Sequence, residues 1–259
     1  MNLQLKGKVA IIGGASQGIG YGIAHCLASE GALVAMSARR DKDLLVAAER
    51  IRAETGATVL AIQADCRRAD DCARVAQTVR QEFGGIDILV NNDGAPPLGP
   101  ALSFDDAAWS RAVEQNLMYV VRMAREVVPS MKLRGGGSIL NITAVSAIQP
   151  IPGFALSVAT WGGVIGFAKT LSLEIGEFGI NVNTICPGYI DTVRLQTVFA
   201  AGAEAPEIVK DRLTAEIPMK RIGTPQDIAH LVTLLVSPLG RYITGTTVQV
   251  DGGLLRAVR

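Results

Sequence analysis

Apolar residues along the chain fall into short unbroken runs separated by stretches of helical spacing, and the two alternate over most of its length. Val9 to Ile12 is an apolar run that breaks at Gly13 and Gly14, after which Ile19, Ile23, Cys26 and Leu27 recur at helical spacing up to Gly31. This predicts strand, glycine turn, helix. The pattern repeats with a strand over Leu33 to Met36, a helix over Leu44 to Ala53, a strand over Thr58 to Ile62, a helix over Asp70 to Phe83 and a strand over Ile86 to Val90. A long helix over about Phe104 to Leu133 follows, then a strand at Ser138 to Ile142, a helix at Phe154 to Phe178 and a strand at Asn181 to Ile185. Pro225 to Val236 reads as a helix and Thr246 to Val250 as a last strand. Only Tyr189 to Pro218 escapes the alternation; it is rich in small residues, among them Ala200, Ala201, Gly202, Ala203 and Ala205, and reads as a lid or binding loop. Apolar strands separated by amphipathic helices need long crossovers and burial on both faces, which predicts an α/β fold: a doubly wound, Rossmann-type parallel sheet covered on both sides. No linker-like break interrupts it, so residues 1–259 are expected to form one domain.

Composition narrows the partners. The 259 residues are 49% hydrophobic, enough for a sizeable core, and 25 basic against 24 acidic residues leave a formal charge of +1. Such a balance offers no broad field for nucleic acid or an anionic membrane, and a small-molecule ligand is expected instead. Cys26, Cys66, Cys72 and Cys186 show no paired spacing, and His25 and His230 are the only histidines, so no metal site is expected. Reduced structural thiols and the absence of an apolar leader fit a cytoplasmic protein.

The chemistry concentrates at strand ends. Gly14, Gly18 and Gly20 lie between the first strand and the first helix, where a tight turn lets phosphates approach backbone amides at a helix N-terminus. Taken alone, the triplet also suits a purely structural turn. Four further features agree with a ligand: Asp65 after the third strand, Asn91-Asn92-Asp93-Gly94 after the fourth, Asn116 in the long helix and Pro187-Gly188 after the sixth. Open parallel sheets bind ligands at such strand C-termini.

In order and spacing these motifs resemble those of the short-chain dehydrogenase/reductase family, of the kind that includes 3-oxoacyl-carrier-protein reductases, over essentially the whole chain. The resemblance implies a nicotinamide dinucleotide with Ser16, Gln17, Gly18 and Ile19 at the pyrophosphate and Asp65 with Cys66 at the adenine. It places Asn92 and Gly94 along the adenosine side, and Pro187, Gly188, Tyr189, Ile190 and Thr192 beside the nicotinamide. Two positions depart from the family: Gly13 replaces the usual threonine, and Asp93 replaces the usual alanine. A carboxylate at 93 needs a hydrogen-bonding partner if buried. At the end of the second strand, Arg39 and Arg40 offer guanidinium groups and no acid for a ribose hydroxyl, favouring NADP(H) over NAD(H). The competing reading makes them a solvated loop with Asp41 and Asp43.

The family's catalytic apparatus is where the resemblance fails. A serine, a tyrosine and, four residues later, a lysine are expected; the register fixed by Gly166-Phe167-Ala168-Lys169 and by Pro187 puts Ala144, Ser157 and Trp161 there, and only Asn116 is retained. Serine is a far weaker acid than a phenol titrating near about 10. Asn116, Ser157 and Tyr189 are the catalytic candidates, with Tyr189 alone among the four tyrosines placed near the nicotinamide by the resemblance; lining a loop and packing on the cofactor's side is its more ordinary role. Thr143, Ser146 and Asp93 are lesser candidates, Cys186 is read as core, and Lys169 is too far along its helix, roughly 12 Å, to replace the lysine. Trp161 either shapes a new substrate pocket or plugs the vacated space and weakens cofactor binding.

Gly162, Gly163 and Gly166 suit close helix approach, and family members pair this helix across dimer axes, so a homotetramer is expected; packing on the chain's own sheet is the alternative. Three functions follow. The leading one is an NADP(H)-dependent oxidoreductase acting on a carbonyl or alcohol with a non-standard proton donor. A catalytically silent nucleotide-binding protein or partner subunit is the second, and a non-redox lyase or isomerase on the same fold is the third.

Overall fold

The computed structural model describes residues 2–200 and 204–257. Seven strands form one sheet: β1 (Val9–Ile12), β2 (Leu33–Ala38), β3 (Val59–Gln63), β4 (Ile88–Asn91), β5 (Gly137–Ile142), β6 (Ile180–Pro187) and β7 (Thr247–Val250). All neighbours pair parallel in the order β3-β2-β1-β4-β5-β6-β7. This is the doubly wound Rossmann-type sheet that the alternation predicts.

Successive residues of β1 point to opposite faces, and each face has its own core. Ala10 and Ile12 join Ile23, Leu27, Leu44, Ile51, Ile228 and Val232, which come from α1 (Gly18–Ser29), α2 (Asp41–Thr55) and a later helix over Pro225–Val236. Val9 and Ile11 join Val75, Val79, Val127, Met131, Val164 and Ala168 on the other side, from α3 (Ala69–Phe83) and from helices of the second half. Both faces of the central strands are therefore dry, which is why their sequence reads as continuous apolar runs.

Two stretches differ from the sequence reading. The long helix predicted over Phe104 to Leu133 begins only at Asp106: α4 (Asp106–Ala112) runs into a π-helical turn at Val113–Met118 and continues as α5 (Tyr119–Leu133). Wider winding inserts a residue without breaking the apolar stripe, and such turns are frequent at functional sites. The segment expected to be irregular, Tyr189 to Pro218, carries two helices, α7 (Val193–Phe199) and α8 (Pro206–Glu216). They bury little beyond Leu195, Phe199 and Val209, so their periodicity in the sequence is faint. Ala201, Gly202 and Ala203 lie outside the described residues.

The remaining helices are α6 (Ala155–Ile175), packed along β6, and α9 (Pro225–Val236), packed on α1. The stretch Ala155–Phe178 has the length and apolarity of a membrane span. Its Leu156, Val164, Ala168 and Ile175 are nevertheless buried in the fold.

Candidate active site

Strand order reverses between β1 and β4, and the chain leaves both strands toward the same crevice. Gly13 N donates to Val90 O (2.9 Å), and Asn92 Nδ2 donates to Gly13 O (3.4 Å) and Gly14 O (3.5 Å), tying the two turns together. Gly14 has φ +57°, and a Cβ there would lie 2.5 Å from Asn92 O; Gly18 has φ +60°, and a Cβ there would lie 3.2 Å from Thr192 Cγ2. Only glycine fits both without strain. Helix α1 starts at this turn with no capping side chain, leaving its first amides available to an anion.

Above the switch point lies a cavity of about 750 Å³. Of the predicted cofactor residues, Gly14, Ser16, Gln17, Gly18, Ile19, Arg39, Arg40, Asn92, Gly94, Pro187, Gly188, Ile190 and Thr192 line it. Gly20 is buried beneath the turn, where a Cβ would strike Gly14 O. Asp65 and Cys66 stand apart from the main cavity. Asp65 is held by Arg67, whose Nε donates to it at 2.9 Å and keeps the carboxyl below its usual range. Cys66 lines a small side cavity with Asp93 and Tyr119. Arg40 pairs with Asp43 (3.0 Å), as the solvated-loop reading expects, whereas Arg39 is exposed and makes no ion pair among the described residues.

The three candidate catalytic residues separate. Tyr189 lines the cavity, partly buried, and burial raises its phenol above the usual value, with Glu216 adding to the shift. Ser157 is 1% exposed, does not line the cavity, and its Oγ has no hydrogen-bond partner. Asn116 sits in the π-helical turn, equally buried; its Nδ2 donates to Thr160 Oγ1 (2.8 Å), and its Oδ1, without a hydrogen-bond partner, packs against Gly94, where a Cβ would collide with it. Trp161, 9% exposed, forms cavity wall alongside Ala144. Thr143 turns its hydroxyl inward to Ile185 O (3.2 Å), while Ser146 lines the cavity with a buried hydroxyl lacking a partner. Cys186 is fully buried beside Thr143, and burial raises its thiol, as the core reading expects.

The half-buried Asp93 finds its partner in Tyr119, the first residue of α5. Its hydroxyl and the Gly14 amide face the carboxylate. Burial raises Asp93 to about 6 against the opposing pull of Arg39. The space they occupy exists because residue 13 is glycine: a Cβ there would overlap the Tyr119 hydroxyl and lie 2.9 Å from Asp93 Oδ2. The departures at 13 and 93 are thus two halves of one packing arrangement. Tyr119 was not legible as a site residue, since its apolar-stripe position reads as core. Arg194 of α7 also lines the cavity, although the 189–218 segment shows no charge cluster in sequence.

Comparison with known proteins agrees with this geometry. Residues 14–255 match the enoyl-(acyl carrier protein) reductase family model. A 3-oxoacyl-(acyl-carrier-protein) reductase of Staphylococcus epidermidis is 36% identical over 248 residues, covering 95% of this chain and 98% of that protein. The L-sorbose reductase of Gluconobacter frateurii, solved with NADPH and L-sorbose, superposes with a TM-score of 0.95 at 33% identity over 100% of both chains. A 7α-hydroxysteroid dehydrogenase solved with NADH and a 7-oxo bile acid gives 0.92 at 31% identity, covering 100% of this chain and 98% of the other.

Proposed function

Since the chain belongs to the short-chain dehydrogenase/reductase family, we propose that it is an oxidoreductase that binds NADP(H) over the β1 and β4 termini and acts on a carbonyl or alcohol through a proton donor other than the family's tyrosine. The observation that carries this reading is the glycine turn at Gly14 and Gly18, crowded by Asn92 and Thr192 yet open to the cavity at the uncapped start of α1. Those amides suit a pyrophosphate. Arg39, exposed and without an ion pair among the described residues, suits a ribose 2′-phosphate, which supports NADP(H) over NAD(H). When bound, the nicotinamide supplies or accepts the hydride.

The chain's own share is orientation and hydrogen bonding. Tyr189 offers a phenol to the substrate oxygen from the cavity wall, and burial raises its pKa, so it gives its proton to the forming alkoxide less readily than a tuned acid. Ser146 also lines the cavity, but its hydroxyl is enclosed. Ser157, buried and outside the cavity lining, presents no hydroxyl there. Trp161 fills the wall where the family keeps a lysine, so no ammonium tunes a proton donor. Loss of a positioned, tuned acid forfeits about 10²–10⁴ in rate, and turnover is expected to be slow by that factor.

Calorimetric titration with NADPH and NADH, followed by ketone reduction assays, tests the reading. NADPH binding with slow turnover, abolished in Tyr189→Phe without loss of NADPH affinity, is the expected result. Failure of both nucleotides to bind below millimolar concentration overturns it. The combined Ala144→Ser, Ser157→Tyr and Trp161→Lys variant is expected to gain ketone reduction; no gain counts against the register. Burial of Ser157 also favours a second reading, a silent nucleotide-binding subunit, which predicts NADPH binding and no turnover with any ketone.

We infer further that the protein assembles through α6. Among the described residues a Cβ at Gly162 or Gly166 would meet nothing within 4 Å, so packing among them explains neither glycine, whereas Gly163 lies against Leu117. A second copy of the helix, in a homotetramer, accounts for an open small-residue face.

A further inference from the structure

Four charged residues line the cavity: Arg39, Arg40, Asp93 and Arg194. The first three lie at the ends of β2 and β4, whereas Arg194 comes from α7, and Leu195, Val198 and Tyr189 line the same cavity. Its Nη2 donates to Pro96 O (2.8 Å), bridging α7 to the loop after β4. No carboxylate pairs with it among the described residues. A guanidinium carries five N–H donors, and a carbonyl uses one of them. Burial without a counter-charge lowers the pKa of Arg194, and an unpaired cation in such a place is costly unless a ligand completes it.

We propose that Arg194 is an anion-recognition residue of this cavity, seating an oxyanion that is either the carboxylate or phosphate of an acidic substrate or the diphosphate of the dinucleotide. This rests on reading the cavity as a site for dinucleotide and substrate. The planar fork matches a two-oxygen acceptor, and the contact to Pro96 O orients it beforehand. The apolar neighbours Leu195 and Val198 strengthen such a pair by keeping water away. The residue therefore selects for negative charge on the α7 part of the cavity wall.

The test uses Arg194→Met, which keeps length without charge, and Arg194→Lys, which keeps charge without the fork, each checked for the wild-type circular dichroism spectrum. In one arm NADPH is titrated into each protein by calorimetry. In the other, inorganic phosphate and then acetate are titrated into protein saturated with NADPH, where the nucleotide's own phosphate sites are filled. Weakening of NADPH binding by about tenfold or more in Arg194→Met identifies the diphosphate as the anion. Unchanged NADPH affinity, with phosphate or acetate binding to the saturated wild type and about tenfold weaker binding in Arg194→Met, identifies an acidic substrate; Arg194→Lys is expected between the two. If neither arm distinguishes wild type from Arg194→Met, Arg194 is only a latch on the Pro96 carbonyl and the proposal falls. If NADPH fails to bind the wild type, the dinucleotide reading fails separately. The phosphate titration of the free proteins then still decides Arg194, since equal affinities in wild type and Arg194→Met overturn it.

Discussion

Asp93 shows how much one residue changes at the mouth of a strand. Its carboxyl lies against the Tyr119 hydroxyl and the Gly14 amide, and burial lifts it to about 6, above the usual aspartate value of about 3.9. Between those values the folded chain keeps a proton that the unfolded chain has released. This carboxyl's contribution to stability is therefore fully present below about pH 4 and is lost as pH rises through 6. Asp93→Asn carries no ionisable group, so urea unfolding is expected to show the variant gaining on wild type from pH 5 to pH 8. An equal gap at both pH values would count against the assignment. The same cluster shows what a single chain reveals: Gly13 and Asp93 stand out against the family pattern one at a time. That Tyr119 joins them follows only from α5 beginning beneath the β1 turn. Ser157 gives the converse case, since its place in the helix is plain from sequence but its enclosure away from the cavity is not.

Among the elements, the strands were legible as unbroken apolar runs buried on both faces, and the longer helices because their apolar residues recur with a period of 3.6 over one buried face. Helix α9 adds end signals: Pro225 opens it, the Thr224 side chain accepts from Asp227 N, and the Asp227 carboxylate in turn accepts from Thr224 N (2.7 Å). Arg221 holds Asp227 ionised, its Nη1 donating at 2.7 Å. Thr224→Ala removes the cap of a helix packed on α1 and is expected to cost about 1 kcal/mol in urea unfolding, with no change in nucleotide affinity. A cost indistinguishable from zero would show that the capping box contributes nothing there. Helices α7 and α8 escaped the periodic reading because short helices that bury a few residues leave a weak stripe. Their end signals were nonetheless present, Thr192 accepting from Leu195 N (3.4 Å) and Pro206 opening α8. The π-helical turn left no local mark, since an i+5 turn shifts the stripe by less than the stripe's own width.

For the molecule as a whole, assembly is the property the single chain leaves most exposed to test. A homotetramer built through α6 is expected to scatter light as four chains of 27.2 kDa, and Gly166→Arg, placed where a Cβ meets nothing among the described residues, is expected to dissociate it without unfolding the subunit. Wild type eluting as a monomer would remove the α6 interface. By itself the sequence determined the alternating architecture, the strand ends where ligand motifs gather and the crowded glycine turn. Each of these depends on local periodicity or on one residue's steric freedom. Tertiary structure alone decided that Arg194 joins Tyr189 and Ser146 in the cavity wall, that Ser157 and Asn116 do not, and that Asp93 finds Tyr119. The reason is geometric, because such meetings join residues as far apart as Pro96 and Arg194, and their distances are set by sheet order and helix winding rather than by spacing along the chain.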